Sequence, residues 1–238
     1  RKEDPGILTG VTEYFDDLKM PGMLHVAFVR SNVAHGVLES VDVSDAIGMP
    51  GVVAVHSADT LELADVHGFI MLPPTMNRPP LAKGKVRFVG DIVAVVVAHS
   101  KAEAVDAAEA VIVDIDPLPA VVDPEAAIAD GAPQLHDGAP GNVAFGAQMM
   151  GMGMPVEGLF DDAEVVVKGR FVNQRVAGVP MEPNGIVAVP EADGTLTAWI
   201  PSQAPHNIHG ELAPILGLEG PQLRVRTAAR SEEHTSEL

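Results

Sequence analysis

The residues of this sequence that are best placed to do chemistry come directly after a predicted strand. The β-rich run Thr195–Ile200 stops at Pro201, and Ser202 and Gln203 follow it. Apolar residues then recur at helical spacing, which predicts a helix over Gln203–Leu216 with Ser202 as its N-cap. Side chains and first-turn amides at such a crossing point towards whatever occupies the end of the sheet, so Gln203 is a candidate binding residue. A turn that leads into an amphipathic helix, without any ligand, is the plainer interpretation.

Nucleophilic catalysis and metal binding are poorly supported in this stretch. Ser202 beside His206 resembles a nucleophile and its base, but there is no Gly-x-Ser-x-Gly elbow, and N-capping accounts for the serine. His206 and His209, with Glu211 nearby, have the spacing of two zinc ligands on a helix, but no third ligand follows at a recognisable spacing. We therefore expect no residue here to ligate a metal directly.

The acidic side chains offer one further candidate. Glu182 stands between Pro180 and Pro183, where restricted backbone freedom leaves it either to cap a neighbouring amide or to point into a site. The adjacent pairs Asp16-Asp17 and Asp161-Asp162 lie in polar, turn-like contexts, and we expect them to be solvated.

The composition is typical of a packed α/β protein. Of the 238 residues, 47% are hydrophobic, mostly Ala and Val, and only 4% are aromatic, which argues against disorder. A formal net charge of -18 argues against nucleic acid as a partner, because neutralising phosphates requires clusters of Lys and Arg. Without cysteine, these residues form no disulfide and hold no iron–sulfur cluster through thiolates. No apolar run reaches the roughly 18 residues of a membrane span, and the start lacks a signal-type stretch, so we expect a cytoplasmic protein with no transmembrane segment.

Composition changes divide the chain into five parts. Residues 1–18 mix charges with Pro and Gly and are predicted to form an extended lead-in, and residues 19–124 an α/β domain. Residues 125–140, rich in Pro, Ala, Asp and Gly, are a predicted linker, and residues 141–229 begin a second, mixed α/β domain. Residues 230–238 are polar and aperiodic and resemble the translation of a common sequencing-adapter oligonucleotide, so we expect them to be an artefact at the broken end of a gene.

The clearest unit of the first domain is predicted to run strand, turn, strand, helix, strand. Lys85–Val89 and Ile92–Ala98 are the first two strands, joined by a tight turn. Ser100 and Glu103 have the capping-box pattern that opens a helix, and Val111–Ile115 is the last strand. We expect one compact layer of helix on sheet.

The second domain is predicted to hold four strands and the helix described above. Asp161–Gln174 is a long strand, Gly185–Val189 and Thr195–Ile200 form a hairpin, and Gln222–Thr227 is the last strand. The Gly-Met-Gly run at residues 151–153 lacks both the third glycine and the preceding strand of a dinucleotide fingerprint. We therefore expect no nicotinamide-binding turn there.

Short motifs spread along the chain carry a resemblance through their order and spacing. They are Leu8–Gly10, Pro21–Arg30, Pro50–Val55, Val86–Gly90, Val93–Ala98, Pro117–Pro124, Gly141–Val143, Val172–Gln174, Pro180–Pro183 and Ser202–His206. Together they resemble the large, molybdopterin-binding subunit of the xanthine oxidase family of molybdenum hydroxylases. Within that family the chain is most similar to large subunits of the aerobic carbon monoxide dehydrogenase type.

The resemblance implies a fold, a reaction and partners. The fold is an α/β hammerhead domain over residues 19–124, followed by the N-terminal part of a mixed α/β molybdenum-cofactor domain at residues 141–229. Such enzymes hydroxylate a substrate carbon, or oxidise carbon monoxide, with oxygen from water. The implied cofactor is molybdenum–molybdopterin in its cytosine dinucleotide form. Iron–sulfur clusters and FAD are expected on a small and a medium partner subunit, in a dimer of heterotrimers.

The resemblance also implies roles for three residues. Gln203 matches the glutamine that hydrogen-bonds an oxo ligand of molybdenum, where an amide donates without adding charge beside the metal. Glu182 and Gln174 match motif positions and are expected to shape the site. The family's catalytic glutamate, and the glycine-rich loop expected after Thr227, have no counterpart in this sequence. We therefore expect an N-terminal fragment that contains no catalytic residue and is inactive alone.

Three functions remain open on the sequence. The first is the large subunit of a carbon monoxide-oxidising enzyme, and the second is a subunit that hydroxylates an aldehyde or an N-heterocycle. The third is a non-catalytic α/β binding module, in which the helix after Gln203 serves packing alone.

Overall fold

A computed structural model describes residues 4–61, 63–67, 72, 74–144, 158, 160–179 and 182–227. The chain divides into two compact units. The valine-rich unit comprises Lys19–Ala144 and His209–Gly220, and the Gln203 unit comprises the described parts of Arg1–Leu18, Phe145–Ile208 and Pro221–Leu238. No described helix has both the length and the apolar character needed to cross a membrane. The glycine-rich run at residues 151–153 and the predicted artefact at residues 230–238 lie outside the described residues.

Short strands and helices make up both units. The strands among the described residues are β1 His25–Arg30, β2 Gly36–Asp42, β3 Val52–Ser57, β4 Lys85–Val86, β5 Ile92–Ala98, β6 Ile112–Pro117, β7 Val187–Pro190, β8 Leu196–Trp199 and β9 Leu223–Arg226. The α-helices are α1 Asp4–Thr9, α2 Ser44–Ile47, α3 Lys101–Glu109, α4 Pro124–Ala127 and α5 Pro205–Ile215. Single 3-10 turns lie at Phe15–Asp17, Pro74–Met76, Pro140–Asn142 and Gly220–Gln222.

The valine-rich unit contains two antiparallel three-stranded sheets that share a core. One sheet has the order β1-β5-β3, and the other has the order β4-β2-β6. On β5, Ala94 and Val96 belong to a buried cluster that also includes residues of α2, α3 and β3, whereas Val93 belongs to a cluster with Ala82 and Val86. Because the side chains of a strand alternate between its faces, β5 contributes to both clusters. The two clusters are joined by half-buried valines that contact both, namely Val29, Val41 and Val113.

The helix α3 lies against β1 and β5 through its small side chains. Ala104 and Ala107 are completely buried, which allows the helix backbone to approach the sheet closely. The predicted N-cap at Ser100 is confirmed, but Glu103 completes the interaction through the Ser100 hydroxyl and not through the Ser100 backbone amide that a capping box uses. The Ser100 hydroxyl accepts a hydrogen bond from the amide of Glu103 at 3.2 Å and donates one to the Glu103 carboxylate at 2.8 Å.

The strand predicted over residues 85–89 is correct only for Lys85–Val86, and the turn after it does not lead back into a strand paired with it. The first strand ends at Val86, and β4 pairs with β2, whereas β5 pairs with β1 and β3. The chain passes from one sheet to the other between β4 and β5. At this point the amide of Gly90 donates to Ser31 O at 2.7 Å, and the amide of Ser31 donates to Asp91 O at 2.8 Å. Gly90 has a φ of 95°, a conformation that favours glycine.

The Gln203 unit contains a sheet of order β7-β8-β9. Strands β7 and β8 are antiparallel, as the predicted hairpin requires, and β8 is parallel to β9. The hairpin loop is held by Asp193, whose carboxylate accepts hydrogen bonds from both the hydroxyl and the amide of Thr195, at 2.7 and 3.0 Å. These two bonds, the hydroxyl first, hold the pKa of Asp193 below its ordinary value.

Two predictions for this unit are wrong. Residues 161–174 form no strand: residues 161–179 have no ladder partner among the described residues, and all their side chains are exposed. A strand is stabilised by pairing and by burial of one face, and here neither occurs. The lead-in is not extended, because Asp4–Thr9 form a helix in which the Thr9 hydroxyl donates to Pro5 O at 2.6 Å.

Truncation of Val96 tests the assignment of β5 as the centre of the valine-rich core. Val96 is completely buried, so Val96→Ala leaves a cavity and should lower the free energy of unfolding by about 2 kcal/mol. The matched control is Val53→Ala, because Val53 lies on β3 with 49% of its surface exposed and should cost less than about 1 kcal/mol. Urea denaturation of the purified protein measures both values, and equal losses would contradict this core.

The Asp193 turn should make stability depend on acid pH. Since folding lowers the pKa of this carboxyl, its stabilising effect is present above the unfolded pKa of about 3.8 and is lost as the pH falls through the folded pKa. Asp193→Asn should therefore lower the melting temperature at pH 7, and the difference from the wild type should shrink by pH 3. An equal difference at both pH values would show that the charge of Asp193 does not contribute.

Candidate functional site

The carboxyl edge of the β8–β9 pair is where the chain can present side chains to a ligand. Since the two strands are parallel, with Trp199 opposite Arg226, both end at the same edge of the sheet. The amide of Ile200 donates to Arg226 O at 2.9 Å and extends the pairing beyond β8. In open α/β sheets, ligands bind outside the carboxyl ends of strands, where the loops begin. Gln203 follows β8 at this edge, and Thr227 follows β9.

The turn after β8 is built by Ser202, although not as predicted. The helix α5 begins at Pro205, so Ser202 lies too early in the sequence to be its N-cap. Its hydroxyl instead accepts a hydrogen bond from the amide of Ala204 at 3.0 Å, which closes a tight serine turn around Gln203. Gln203 is exposed at the apex of this turn, directly before the first turn of α5.

The hydroxyl of Thr227 is a polar group that sequence reasoning missed. Its Oγ1 is buried and has no hydrogen-bond partner among the residues that the structure describes. Buried polar atoms are nearly always paired, so an atom of this kind marks a place where a further polar group fits. A signal was available in the sequence, because a strand–helix–strand order predicts parallel pairing and places Thr227 at the same edge as Gln203.

A cation–π contact joins the two strands at this edge. The guanidinium of Arg226 lies over the ring of Trp199, 4.5 Å from its centroid, and the two residues are opposite each other in the β8–β9 register. Such a contact contributes roughly 0.5–1 kcal/mol at an exposed site. It links the last residues of both strands just before the chain turns away to Gln203 and Thr227.

Glu182 adopts the first of the two roles that the sequence left open. Its Oε1 accepts a hydrogen bond from the backbone amide of Phe15 at 3.3 Å. The aromatic ring of Phe15 also lies directly against Gly185, where a side chain would clash. Glu182 therefore ties the segment around the 3-10 turn Phe15–Asp17 to the residues that lead into β7. It is a positioning residue in this arrangement.

The other predicted residues lie in different settings. Gln174 is exposed within residues 161–179, and its role in shaping a site stays a prediction. His206 is exposed on α5, whereas a ring nitrogen of His209 is hydrogen-bonded to Gly220 O at 2.9 Å. Within the described ranges, no group of three or more His, Asp or Glu side chains is arranged to hold a metal ion.

Two family models match the chain and leave little of it uncovered. Residues 9–119 match the aldehyde oxidase and xanthine dehydrogenase a/b hammerhead domain. Residues 135–230 match the molybdopterin cofactor-binding domain. These matches confirm the predicted fold class, a hammerhead domain followed by the start of a cofactor-binding domain.

Individual relatives agree with the family models. The carbon monoxide dehydrogenase large chain of Hydrogenophaga pseudoflava is 35% identical over 94% of this chain and 29% of its own length. The nicotine 6-hydroxylase large subunit of Paenarthrobacter nicotinovorans is 36% identical over 92% of this chain and 27% of its own length. The crystal structure of the aldehyde oxidoreductase from Desulfovibrio gigas has a TM-score of 0.82 at 33% identity, and the match covers 96% of this chain and 26% of that one.

The chain thus spans less than a third of the length of the curated relatives that it matches. Members of the family are molybdenum-dependent oxidoreductases. Two consecutive domain matches, several relatives near 35% identity and a common fold all lead to the same assignment. The chain belongs to the aldehyde oxidase and xanthine dehydrogenase family, as part of a molybdopterin-binding large subunit.

Proposed function

We propose that the protein carrying this chain is the large subunit of a carbon monoxide dehydrogenase-like molybdenum hydroxylase, an oxidoreductase that takes oxygen from water. The observation that carries the proposal is the carboxyl edge of β8 and β9, where Gln203 follows one strand and Thr227, whose buried hydroxyl has no partner among the described residues, follows the other. The similarity of the chain to a carbon monoxide dehydrogenase large chain supports the carbon monoxide-oxidising branch of the family.

The donors at this edge fit a molybdenum–molybdopterin cofactor. A pterin-bound molybdenum supplies two-electron oxidation of the substrate when it is present. The pterin would hold the metal, so the protein would contribute hydrogen bonds rather than ligands. The Thr227 hydroxyl, which has no partner among the described residues, and the exposed Gln203 side chain are groups of that kind. The first amides of α5 add a partial positive charge that suits the anionic cofactor.

Each residue has a separate task in this proposal. Gln203 donates a neutral hydrogen bond towards the metal centre, and its orientation depends on the serine turn closed by Ser202. Thr227 holds a second polar group of the cofactor. Glu182 positions the segment around Phe15, and Gln174 contributes to the shape of the site. None of these residues is a catalytic acid or base.

The remaining parts of the enzyme lie on other chains or other residues. We propose that electrons leave through iron–sulfur clusters on a small subunit and FAD on a medium subunit, and the lack of cysteine thiolates in this chain is consistent with clusters held elsewhere. We further propose the cytosine dinucleotide form of the pterin, a dimer of heterotrimers and a cytoplasmic location. In this proposal the hammerhead domain occupies residues 19–124, the linker residues 125–140 and the cofactor domain begins at residue 141.

A second candidate function is the hydroxylation of an aldehyde or an N-heterocycle. Its support is that the relatives include a nicotine 6-hydroxylase and an aldehyde oxidoreductase at nearly the same identity. Dye reduction by the complete complex with carbon monoxide, an aromatic aldehyde or an N-heterocycle separates the two candidates. The first proposal expects reduction with carbon monoxide, and reduction with only an organic substrate would favour the second.

Substitution of Gln203 tests its role at the cofactor. In the full-length protein with its partners, Gln203→Ala should lower kcat/KM about 10–100-fold, because residues that hydrogen-bond metal ligands have effects of this size. Molybdenum and pterin content, measured in the same preparations, shows whether the loss lies in binding or in turnover. The control is Gln222→Ala, since Gln222 is also exposed but lies at the amino end of β9. Unchanged activity and cofactor content in Gln203→Ala would show that this residue has no role at the cofactor.

A further inference from the structure

A cavity of about 300 Å³ in the valine-rich unit concentrates positive charge in an acidic chain. Four of the 15 Lys and Arg residues line it, namely Arg78, Lys83, Lys85 and Arg87, although the net charge of the chain is -18. Asp91 is the one carboxylate among the lining residues that the structure describes. The cavity therefore carries a positive charge, and its residues belong to a different unit from Gln203 and Thr227.

Two of the four cations already have anionic partners. Arg78 forms an ion pair with the nearly buried Asp91 at 3.5 Å, and its guanidinium lies 5.4 Å from the centroid of the Phe88 ring. Lys83 lies 4.0 Å from Asp59, with both side chains largely exposed. The other two cations of the cavity are Lys85 and Arg87.

The side chains of Lys85 and Arg87 have no anionic partner among the described residues, although the backbone amide of Arg87 donates to the Asp91 carboxylate at 3.2 Å. Both are half-buried, and Arg87 is fixed in place because its Nε donates to Leu135 O at 2.9 Å. The described contacts give no acceptor for the terminal nitrogens of Arg87 or for Nζ of Lys85. Partly burying two cations without counter-charge costs free energy, so the cavity is complementary to a ligand with two negative charges.

The cavity also has apolar lining residues. They include Met76 and the ring of Phe88, which is 44% exposed. A free inorganic anion would leave these residues in contact with water, whereas an organic group would cover them. A phosphate monoester combines both features, because its phosphate carries a charge of about -1.5 to -2 at pH 7 and three acceptor oxygens.

We propose that this cavity binds a small organic phosphate monoester. The phosphate lies between Lys85 and Arg87, and the organic part packs against Phe88 and Met76. A monocarboxylate would leave one of the two cations unpaired, and arginine and lysine are both established phosphate-binding residues. The site belongs to the hammerhead part of the chain and implies a ligand other than the substrate of the molybdenum centre.

His136 at the cavity wall provides an internal reporter. Burial, followed by the charges of Arg87 and Arg78, lowers the pKa of this imidazole below its ordinary value, and Lys85 acts in the same direction while Asp137 opposes it. The other charged or titratable groups lining the cavity are His67, Lys83 and Asp91. A bound dianion would offset the nearby positive charges, so the pKa of His136 should rise when the site is occupied.

Calorimetry on the full-length protein at constant ionic strength tests the proposal with three probes. Phenyl phosphate should bind at submillimolar concentration, inorganic phosphate at least about tenfold more weakly, and phenol not measurably. Lys85→Gln and Arg87→Gln should each weaken phenyl phosphate binding about tenfold or more, since each removes a charge-assisted contact. Lys101→Gln is the matched control, because Lys101 is exposed on α3 and should leave the affinity unchanged.

Several outcomes would overturn this assignment. They are the absence of saturable phenyl phosphate binding at millimolar concentration, equal affinity for inorganic phosphate, and affinity that both cation substitutions leave unchanged. If either variant fails to fold, the wild-type protein still decides the matter through the NMR titration of His136. A pKa that rises with phenyl phosphate supports the site, and a pKa that does not move places the ligand elsewhere.

Discussion

Parallel pairing of β8 with β9 is the constraint on which the candidate site depends. Antiparallel strands joined by a hairpin would send Gln203 and Thr227 to opposite edges of the sheet. The helix α5 is the crossover connection that makes parallel pairing possible, and it brings its positively polarised first turn to the same edge. The candidate site is therefore a consequence of topology. Its side chains are neutral hydrogen-bond donors and acceptors, which suits a cofactor whose metal is already held by the pterin.

The valine-rich unit is organised by burial on both faces of one short strand. Because β5 places alanines and valines in two clusters, the two sheets and α3 pack closely with few aromatic residues. The same unit also has a positively charged cavity, because four cationic side chains line it although the net charge of the chain is -18. Two of these side chains are partly buried without an anionic partner among the described residues, which favours a binding site over a solvated surface.

Signals confined to a few residues predicted the structure well. The N-cap at Ser100, the buried run of β5 and the hairpin of β7 and β8 depend on local chemistry and were all found where the sequence places them. The strand predicted at residues 85–89 is shorter than expected and the one at 161–174 is absent, because pairing partners are set by distant residues: β4 pairs with β2 over two residues, and residues 161–174 have no partner among the described residues. At the site, composition and spacing gave only a strand followed by a helix. The family resemblance identified Gln203, whereas the Thr227 hydroxyl was found only from its burial in the fold and its lack of a partner among the described residues.

The central claim is that the carboxyl edge of β8 and β9 holds the molybdenum cofactor. Its most direct test is the structure of the full-length protein loaded with cofactor. This account predicts that the side-chain amide of Gln203 lies within hydrogen-bond distance, roughly 2.7–3.2 Å, of a polar atom of the metal centre, with the Thr227 hydroxyl also paired. A cofactor bound elsewhere, with Gln203 facing solvent and the Thr227 hydroxyl still unpaired, would contradict it.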